Sequence, residues 1–184
     1  MSTRSLPQAG RQPSAATTGA DAGINGMHMP LWRRPGFLVR RLHQIHGALF
    51  AEECAGFDIT PVQYAVMTTL AKQPDCDQNS LALEVGLDRT NAADVLRRLA
   101  RQGLVFRRAS GVDRRRILSR LTPRGTTILE AMQAAMVRAQ QRLVEPLDAA
   151  ERERFLATML KLIEAAEAAP NPRRAIARST REPT

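Results

Sequence analysis

Residues 77–125 read DQNSLALEVGLDRTNAADVLRRLARQGLVFRRASGVDRRRILSRLTPRG, and the order of caps and turns along them decides the fold. Asp77 is placed to cap a short helix running through Leu81 to Val85, which Gly86 stops. Asp88 is placed to cap a second helix through Ala92, Val95, Leu96 and Leu99, ending at Gly103. Two helices joined by a tight glycine turn make a helix-turn-helix. Ala82 is small where the helices cross, and Gly86 supplies the positive φ of the turn. After Gly103 the helical period stops. Leu104–Arg108 and Ile117–Leu121 alternate and carry β-branched side chains, which predicts two strands with Ser110 and Gly111 in the hairpin between them. A hairpin in this place turns the helix pair into a winged helix-turn-helix.

The same grammar extends in both directions. Upstream, Thr60-Pro61-Val62-Gln63 combines an N-cap, a proline at the first helical position and a glutamine three residues after the cap, and predicts a helix to Pro74. Before it, Leu38, Leu42, Ile45 and Leu49 recur at helical spacing from Pro35 to near Gly56. Downstream, Thr122 caps Pro123 at the start of a long helix bearing Ile128, Met132, Ala135, Met136, Ala139 and Leu143. Asp148 with Glu151 resembles a capping box for a last helix with Phe155, Leu156, Met159, Leu160 and Ile163. The apolar sides of these last two helices exceed what one small winged lobe can cover, so they call for a partner helix surface.

The expected fold is mainly α: a winged helix-turn-helix with a two-stranded wing and an α-helical dimerisation region. The expected organisation is a disordered tail at 1–29, a helical dimerisation region formed by 30–58 with 123–168, a winged lobe at 59–122, and a flexible basic tail at 169–184. The tails are rich in small and polar residues or proline and cannot offset the entropy of ordering.

A length of 184 residues fits one core. The formal charge is +9, and its distribution is more informative than its size. Between Arg97 and Arg124 stand ten arginines and one acid, Asp113, which accounts for the whole excess; the rest of the chain is electroneutral. Only two of the 27 cations are lysine, which favours bidentate contact with phosphate and guanine. No stretch approaches the roughly 20 apolar residues of a membrane helix, and two cysteines do not make a disulfide framework, so a cytoplasmic protein without membrane contact is expected. No phosphate-binding glycine loop, nucleophile elbow or complete metal set is present; neither enzyme activity, a metal nor a cofactor is expected.

The outer side of the second helix-turn-helix helix carries Arg89, Thr90, Asn91, Asp94, Arg97 and Arg98. These side chains fit the major groove of double-stranded DNA: asparagine pairs with adenine, aspartate accepts from cytosine, and arginine binds guanine or phosphate. The wing tip adds Arg114, Arg115 and Arg116, a cationic cluster suited to the strongly negative minor groove. Asp113 opposes DNA by charge, so its expected role is to orient a neighbouring arginine, Arg115 first.

These residues carry a resemblance. Helices flanking a winged helix-turn-helix, with Asp113-Arg114-Arg115 followed by Leu121-Thr122-Pro123-Arg124-Gly125, resemble the MarR family of bacterial regulators over residues 36–166. The resemblance implies a homodimer with interlocked first and last helices, a pseudo-palindromic DNA operator, and repression relieved by a small ligand. The run from Pro30 to Leu38, with Arg41 to His46, is similar to the branch of the family that represses nicotinate catabolism.

Five of the seven aromatic residues fall between residues 32 and 64, as do His43 and His46. Trp32, Phe37, Arg40, His43, His46, Phe50 and Tyr64 are therefore the candidate ligand-binding residues. In the family this region borders a pocket for anionic aromatic compounds, so the resemblance implies a small aromatic carboxylate as effector, with 6-hydroxynicotinate or a related nicotinate catabolite as the example. The competing readings are core packing of the same aromatics, a nonspecific nucleic-acid-binding protein, and an oxidant sensor acting through Cys54. Glu52 and Glu53 beside Cys54, and Asp75 and Asp77 around Cys76, disfavour thiolates.

Overall fold

The computed structural model describes residues 30–113 and 115–168. The tails expected at 1–29 and 169–184, and Arg114 at the wing tip, lie outside the described residues. Contacts divide the chain into two units, 1–40 and 41–184. In the first, Pro30 leads into a 3-10 turn, Leu31–Arg33, and helix α1, Pro35–Glu53, begins; Trp32 and Phe37 meet edge to face with ring centres 5.0 Å apart.

The second unit holds the rest of α1, then α2 (Pro61–Lys72), β1 (Cys76–Asp77), α3 (Gln78–Glu84), α4 (Arg89–Arg101), β2 (Val105–Ala109), β3 (Ile117–Leu121), α5 (Pro123–Val144) and α6 (Ala149–Ala168). Local chemistry fixes most of these boundaries. Thr60 and Gln63 form a reciprocal capping box at α2. The side chains of Asp77, Asp88 and Thr122 accept from backbone N–H groups at the starts of α3, α4 and α5. Asp148 and Glu151 also bond reciprocally, at 3.0 and 2.8 Å. Gly86 has φ +66° between α3 and α4, where a side chain would be strained.

The sheet has three strands, in the order β1-β3-β2, all antiparallel. The expected wing has two. The third strand, β1, pairs Cys76 with Ser119 and Asp77 with Leu118, and two residues are too few to show a period in the sequence. Ser119, in the middle strand, is completely buried.

The core is centred on α2. Val66, Met67 and Leu70 are buried with Leu81 of α3, Leu96 and Leu99 of α4, Leu104 and Val105 at β2, and Leu129 and Met132 of α5. The start of α5 lies hard against the chain entering β2. Thr122 N–H donates to Leu104 O at 3.0 Å, and a Cβ on Gly125 would overlap that same carbonyl oxygen. Gly125 is therefore required by close approach.

No residue of α6 is buried, and Leu156, Leu160, Leu162 and Ile163 are exposed, as are Leu42 and Ile45 of α1. At its far end α1 is tied to α5: Glu53 accepts from Arg138 at 2.7 Å and from Arg142 at 2.9 Å, and Glu52 pairs with Arg142 at 2.9 Å. These hydrogen bonds hold the Glu53 carboxyl below its ordinary pKa.

Candidate nucleic-acid interface and adjoining cavity

Helix α4 buries Ala92, Leu96 and Leu99 and leaves Arg89, Thr90, Asn91, Arg97 and Arg98 exposed, with Asp94 half-buried among them. The expected groove-facing set is thus one side of one helix. Several of its groups are organised within the chain. The Asn91 amide donates to Asp88, whose carboxylate also accepts the Asn91 N–H at 2.9 Å, and Arg97 pairs with Asp94. The start of α4 is braced from two other elements: Gln78 Nε2 donates to Arg89 O at 3.3 Å, and Gln78 Oε1 accepts from Arg107 Nη2 at 3.1 Å.

The wing loop is shaped by two side chains. Ser110 Oγ accepts from the N–H groups of Val112 and Asp113. Asp113 Oδ1 accepts the backbone N–H of Arg115 at 3.0 Å, and its carbonyl accepts that of Arg116 at 2.9 Å. The sequence suggests that Asp113 orients a neighbouring arginine, Arg115 first, and its carboxylate lies on the Arg115 backbone N–H. Val112 is fully exposed at the tip, as is expected of an excursion from the fold.

Arg116 is differently placed from the tip residues. Its guanidinium reaches the base of the wing and donates to Asp77 Oδ2 at 2.6 Å. Asp77 thereby caps α3 through Oδ1, accepts Ser80 Oγ at 2.7 Å and holds Arg116 through Oδ2. With the Ser80 hydroxyl, the Arg116 guanidinium and two backbone N–H groups all favouring the carboxylate, its pKa falls to about 2. One 9% exposed carboxylate links the helix-turn-helix to the wing across 39 residues of chain.

Along the second half of α4, Asp94, Arg97, Arg98 and Arg101 face Arg107 of β2 across a recess of about 520 Å³. Elsewhere on the sheet Arg120 lies over the Phe106 ring at 5.3 Å, and Arg108 pairs with Asp75 at 3.4 Å.

A second cavity, of about 470 Å³, lies between α1, α2, the end of α3 and α5. His46 and Phe50 come from α1, Tyr64, Thr68 and Thr69 from α2, Glu84 and Val85 from the end of α3, and Met136 and Gln140 from α5. Phe50 and Tyr64 stand edge to face at 6.5 Å, and His46 lies 6.5 Å from Phe50. Burial, and next the charge of His43, push the His46 pKa down, so near neutral pH its imidazole is uncharged, with one donor and one acceptor. The structure thus brings together three of the seven candidate ligand residues, His46, Phe50 and Tyr64. His43 is exposed and is not among the lining residues; in the first unit Arg40 is exposed and Trp32 and Phe37 form their own pair. The lining supplied by Thr68, Glu84, Met136 and Gln140 has no counterpart in the sequence reading.

Both thiols are buried. Burial and then Glu53 push the Cys54 thiol up, and burial, Asp77 and Glu84 do the same to Cys76, which disfavours the reactive thiolate. Among the described residues no three His, Cys, Asp or Glu side chains converge as a metal set.

Comparison with known proteins bears on this arrangement. A sequence model described as "MarR family" matches residues 57–116, from the approach to α2 through the wing. The transcriptional regulator HosA of Escherichia coli O127:H6 is 30% identical over 125 residues, which cover 68% of this chain and 91% of HosA. The HTH-type transcriptional repressor NicR of Pseudomonas putida is 25% identical over 84% of this chain and 98% of its own length. A regulatory protein for the hcr operon of Thauera aromatica is 31% identical over 104 residues, and the chain spans 63% of that relative's length. Among solved structures, BpsR of Bordetella bronchiseptica, described for the regulation of its DNA binding by 6-hydroxynicotinic acid, superposes with a TM-score of 0.69 at 25% identity, covering 78% of this chain and 99% of BpsR. With the capped helix pair, the wing and the flanking helices in place, and HosA matched over nearly its full length, the chain belongs to the MarR family of transcriptional regulators.

Proposed function

We propose that this chain is a repressor that binds a pseudo-palindromic DNA operator as a homodimer and leaves it when a small aromatic acid occupies the cavity beside His46, Phe50 and Tyr64. The observation that carries the reading is the position of that cavity: Glu84 and Val85 form part of its wall and directly precede Gly86, the turn into α4. A ligand there bears on the orientation of the recognition helix. The relatives support the ligand class, since the DNA binding of BpsR is described as regulated by 6-hydroxynicotinic acid.

Each α4 enters the major groove of one half-site through Arg89, Thr90, Asn91, Asp94, Arg97 and Arg98, with the two half-sites ~10 bp apart. The wing, through Arg114 and Arg115, follows the flanking minor groove, while Arg116 holds the wing to Asp77. The partner subunit covers the exposed apolar residues of α6, Leu156, Leu160 and Ile163 among them. Phe50 and Tyr64 offer ring edges and faces to a planar ligand, and His46 with Gln140 offers hydrogen bonds to its carboxylate.

The test combines two measurements on the purified full chain. In a thermal-shift screen of aromatic acids, hydroxynicotinates included, at least one should raise the melting temperature, and the same compound should release the protein from its own promoter DNA in a gel shift. Failure to bind that DNA in the absence of any compound refutes the repressor reading; binding that no stabilising compound relieves refutes the effector reading.

A further inference from the structure

Asp94, Arg97 and Arg98 line the recess on α4 and also stand in the proposed base-reading set, whereas its other two charged members, Arg101 and Arg107, have no part in that set or in the cavity described above. Residues 94, 97, 98 and 101 recur at the spacing of one helix side, so the recess continues the side that carries Asn91 a turn earlier, toward β2. Four guanidinium groups, those of Arg97, Arg98, Arg101 and Arg107, share it with a single carboxylate, Asp94, and Arg97 already pairs with that carboxylate.

Arg107 is the unusual member. It projects from a strand, is half-buried, and gives Nη2 to Gln78 at 3.1 Å, while its Nε is buried with no hydrogen-bond partner among the described residues. Burial, and next the charge of Arg97, push its pKa down, as expected for a cation that lacks a compensating anion. A half-buried guanidinium facing three others is costly unless something negative joins them.

We propose that this recess seats one phosphodiester group of the bound duplex, with Arg107 of β2 and Arg101 of α4 as its donors. The proposal rests on the DNA reading above and adds two residues to it. Guanidinium groups from a helix and a strand that converge on one space match the two-oxygen geometry of a phosphate. The position also favours backbone over base. The N-terminal residues of a recognition helix read base edges, and the recess begins past the first turn of α4, at Asp94, and runs on to Arg101. Through Gln78, which touches both Arg107 and the Arg89 carbonyl, a phosphate held here also steadies the first turn of the reading helix. Arg107 and Arg101 thus act as register-setting contacts that carry no sequence information.

The experiment is fluorescence anisotropy of the full chain with a labelled duplex of arbitrary sequence and with promoter DNA, across roughly 50 to 200 mM salt. Arg107→Ala and Arg101→Ala should each lower the slope of log affinity against log salt by about 1 per bound subunit, hence about 2 for the homodimer, on both duplexes, leaving the preference for promoter DNA unchanged. Arg101 lies exposed on a helix surface, so its variant keeps the test valid if Arg107→Ala is destabilised. Unchanged slopes in a folded variant overturn the proposal while leaving the repressor reading standing. A wild type that binds neither duplex overturns both. Calorimetry with inorganic pyrophosphate supplies the remaining arm: binding that Arg107→Ala abolishes, with DNA slopes unaltered, assigns the recess to a free anion and overturns the phosphodiester seat.

Discussion

Replacing Asp77 by asparagine removes one charge and leaves nearly the same shape. Asparagine retains an oxygen for the Asn79 and Ser80 N–H groups, so the α3 cap survives, but the NH2 group that replaces Oδ2 is a donor and accepts from neither Ser80 Oγ nor the Arg116 guanidinium. The size of the loss follows from linkage. A carboxyl whose pKa falls from 3.8 to about 2 on folding stabilises the folded chain by about 2 kcal/mol, at 1.36 kcal/mol per pKa unit. Because the folded pKa is the lower one, this stabilisation is complete above pH 3.8 and is lost as pH falls from there to about 2. Urea unfolding at fixed protein concentration should therefore show Asp77→Asn about 2 kcal/mol less stable at pH 7, with the gap to wild type closing as pH approaches 2. Arg116→Ala should reproduce part of the loss, and the double variant should lose less than the two singles together. A gap that is the same at pH 7 and pH 2.5, or strictly additive variants, would refute the idea that charge at this link joins wing to helix.

Other consequences are sharp enough to measure. Gly125→Ala should destabilise by about 3 kcal/mol or more, above the usual range for overpacking, because the clash is with the Leu104 backbone carbonyl and not with a side chain that can turn away; a chemical-denaturation midpoint within error of wild type refutes it. Arg115→Ala should weaken DNA binding in an anisotropy titration without altering the melting temperature, since the Arg115 backbone N–H still reaches Asp113; unchanged affinity removes the wing contact. His46 is uncharged at neutral pH, and an anionic effector beside it would raise its pKa, so effector affinity by calorimetry should rise as pH falls from about 7.5 to 5.5. In His46→Gln that rise should disappear, and a pH dependence that persists excludes the imidazole as the responding group. Peroxide treatment should leave DNA binding intact in a gel shift, because both thiols are buried with raised pKa; release that Cys54→Ser prevents reopens the oxidant reading.

What could be read from the sequence divides along a physical line. Caps and turns are local: Thr60 with Gln63, Asp77 with Ser80, Asp88 with Asn91 and Asp148 with Glu151 all act within three residues, so the helix starts stand in the sequence for inspection. The α5 side is legible to within one position: Met132, Ala135, Met136 and Ala139 are buried as their spacing implies, but the stripe leads back to Leu129, not only to the half-buried Ile128. Features made by distant pairing were out of reach. Strand β1 exists only because β3 lies beside it, and the Asp77–Arg116 contact spans 39 residues. The cavity falls between these cases. Crowding of His46, Phe50 and Tyr64 marked two of its walls, but Thr68 is an unremarkable helix residue, and Glu84 and Gln140 become lining only when α3 and α5 dock on α2.

That last docking is what the proposed effector response would act through. Val85 and Glu84 are cavity wall, yet Val85 N–H also closes α3 onto Leu81 O at 3.0 Å, Gly86 N–H bonds Leu83 O at 3.2 Å, and Leu87 N–H reaches Ala82 O at 2.8 Å. One residue later Asp88 caps α4. On the proposed reading, a ligand that pushes on Val85 meets a continuous hydrogen-bonded turn and not a slack loop, and would displace the turn together with the start of α4. The demand on the ligand is modest. A conformational equilibrium moved from 1:99 to 99:1 needs about 5.5 kcal/mol of differential affinity, and a shift of one hundredfold needs about half of that. Burying one planar ring against Phe50 and Tyr64 with one or two hydrogen bonds supplies energy of that order, provided the ring binds one of the two conformational states better than the other.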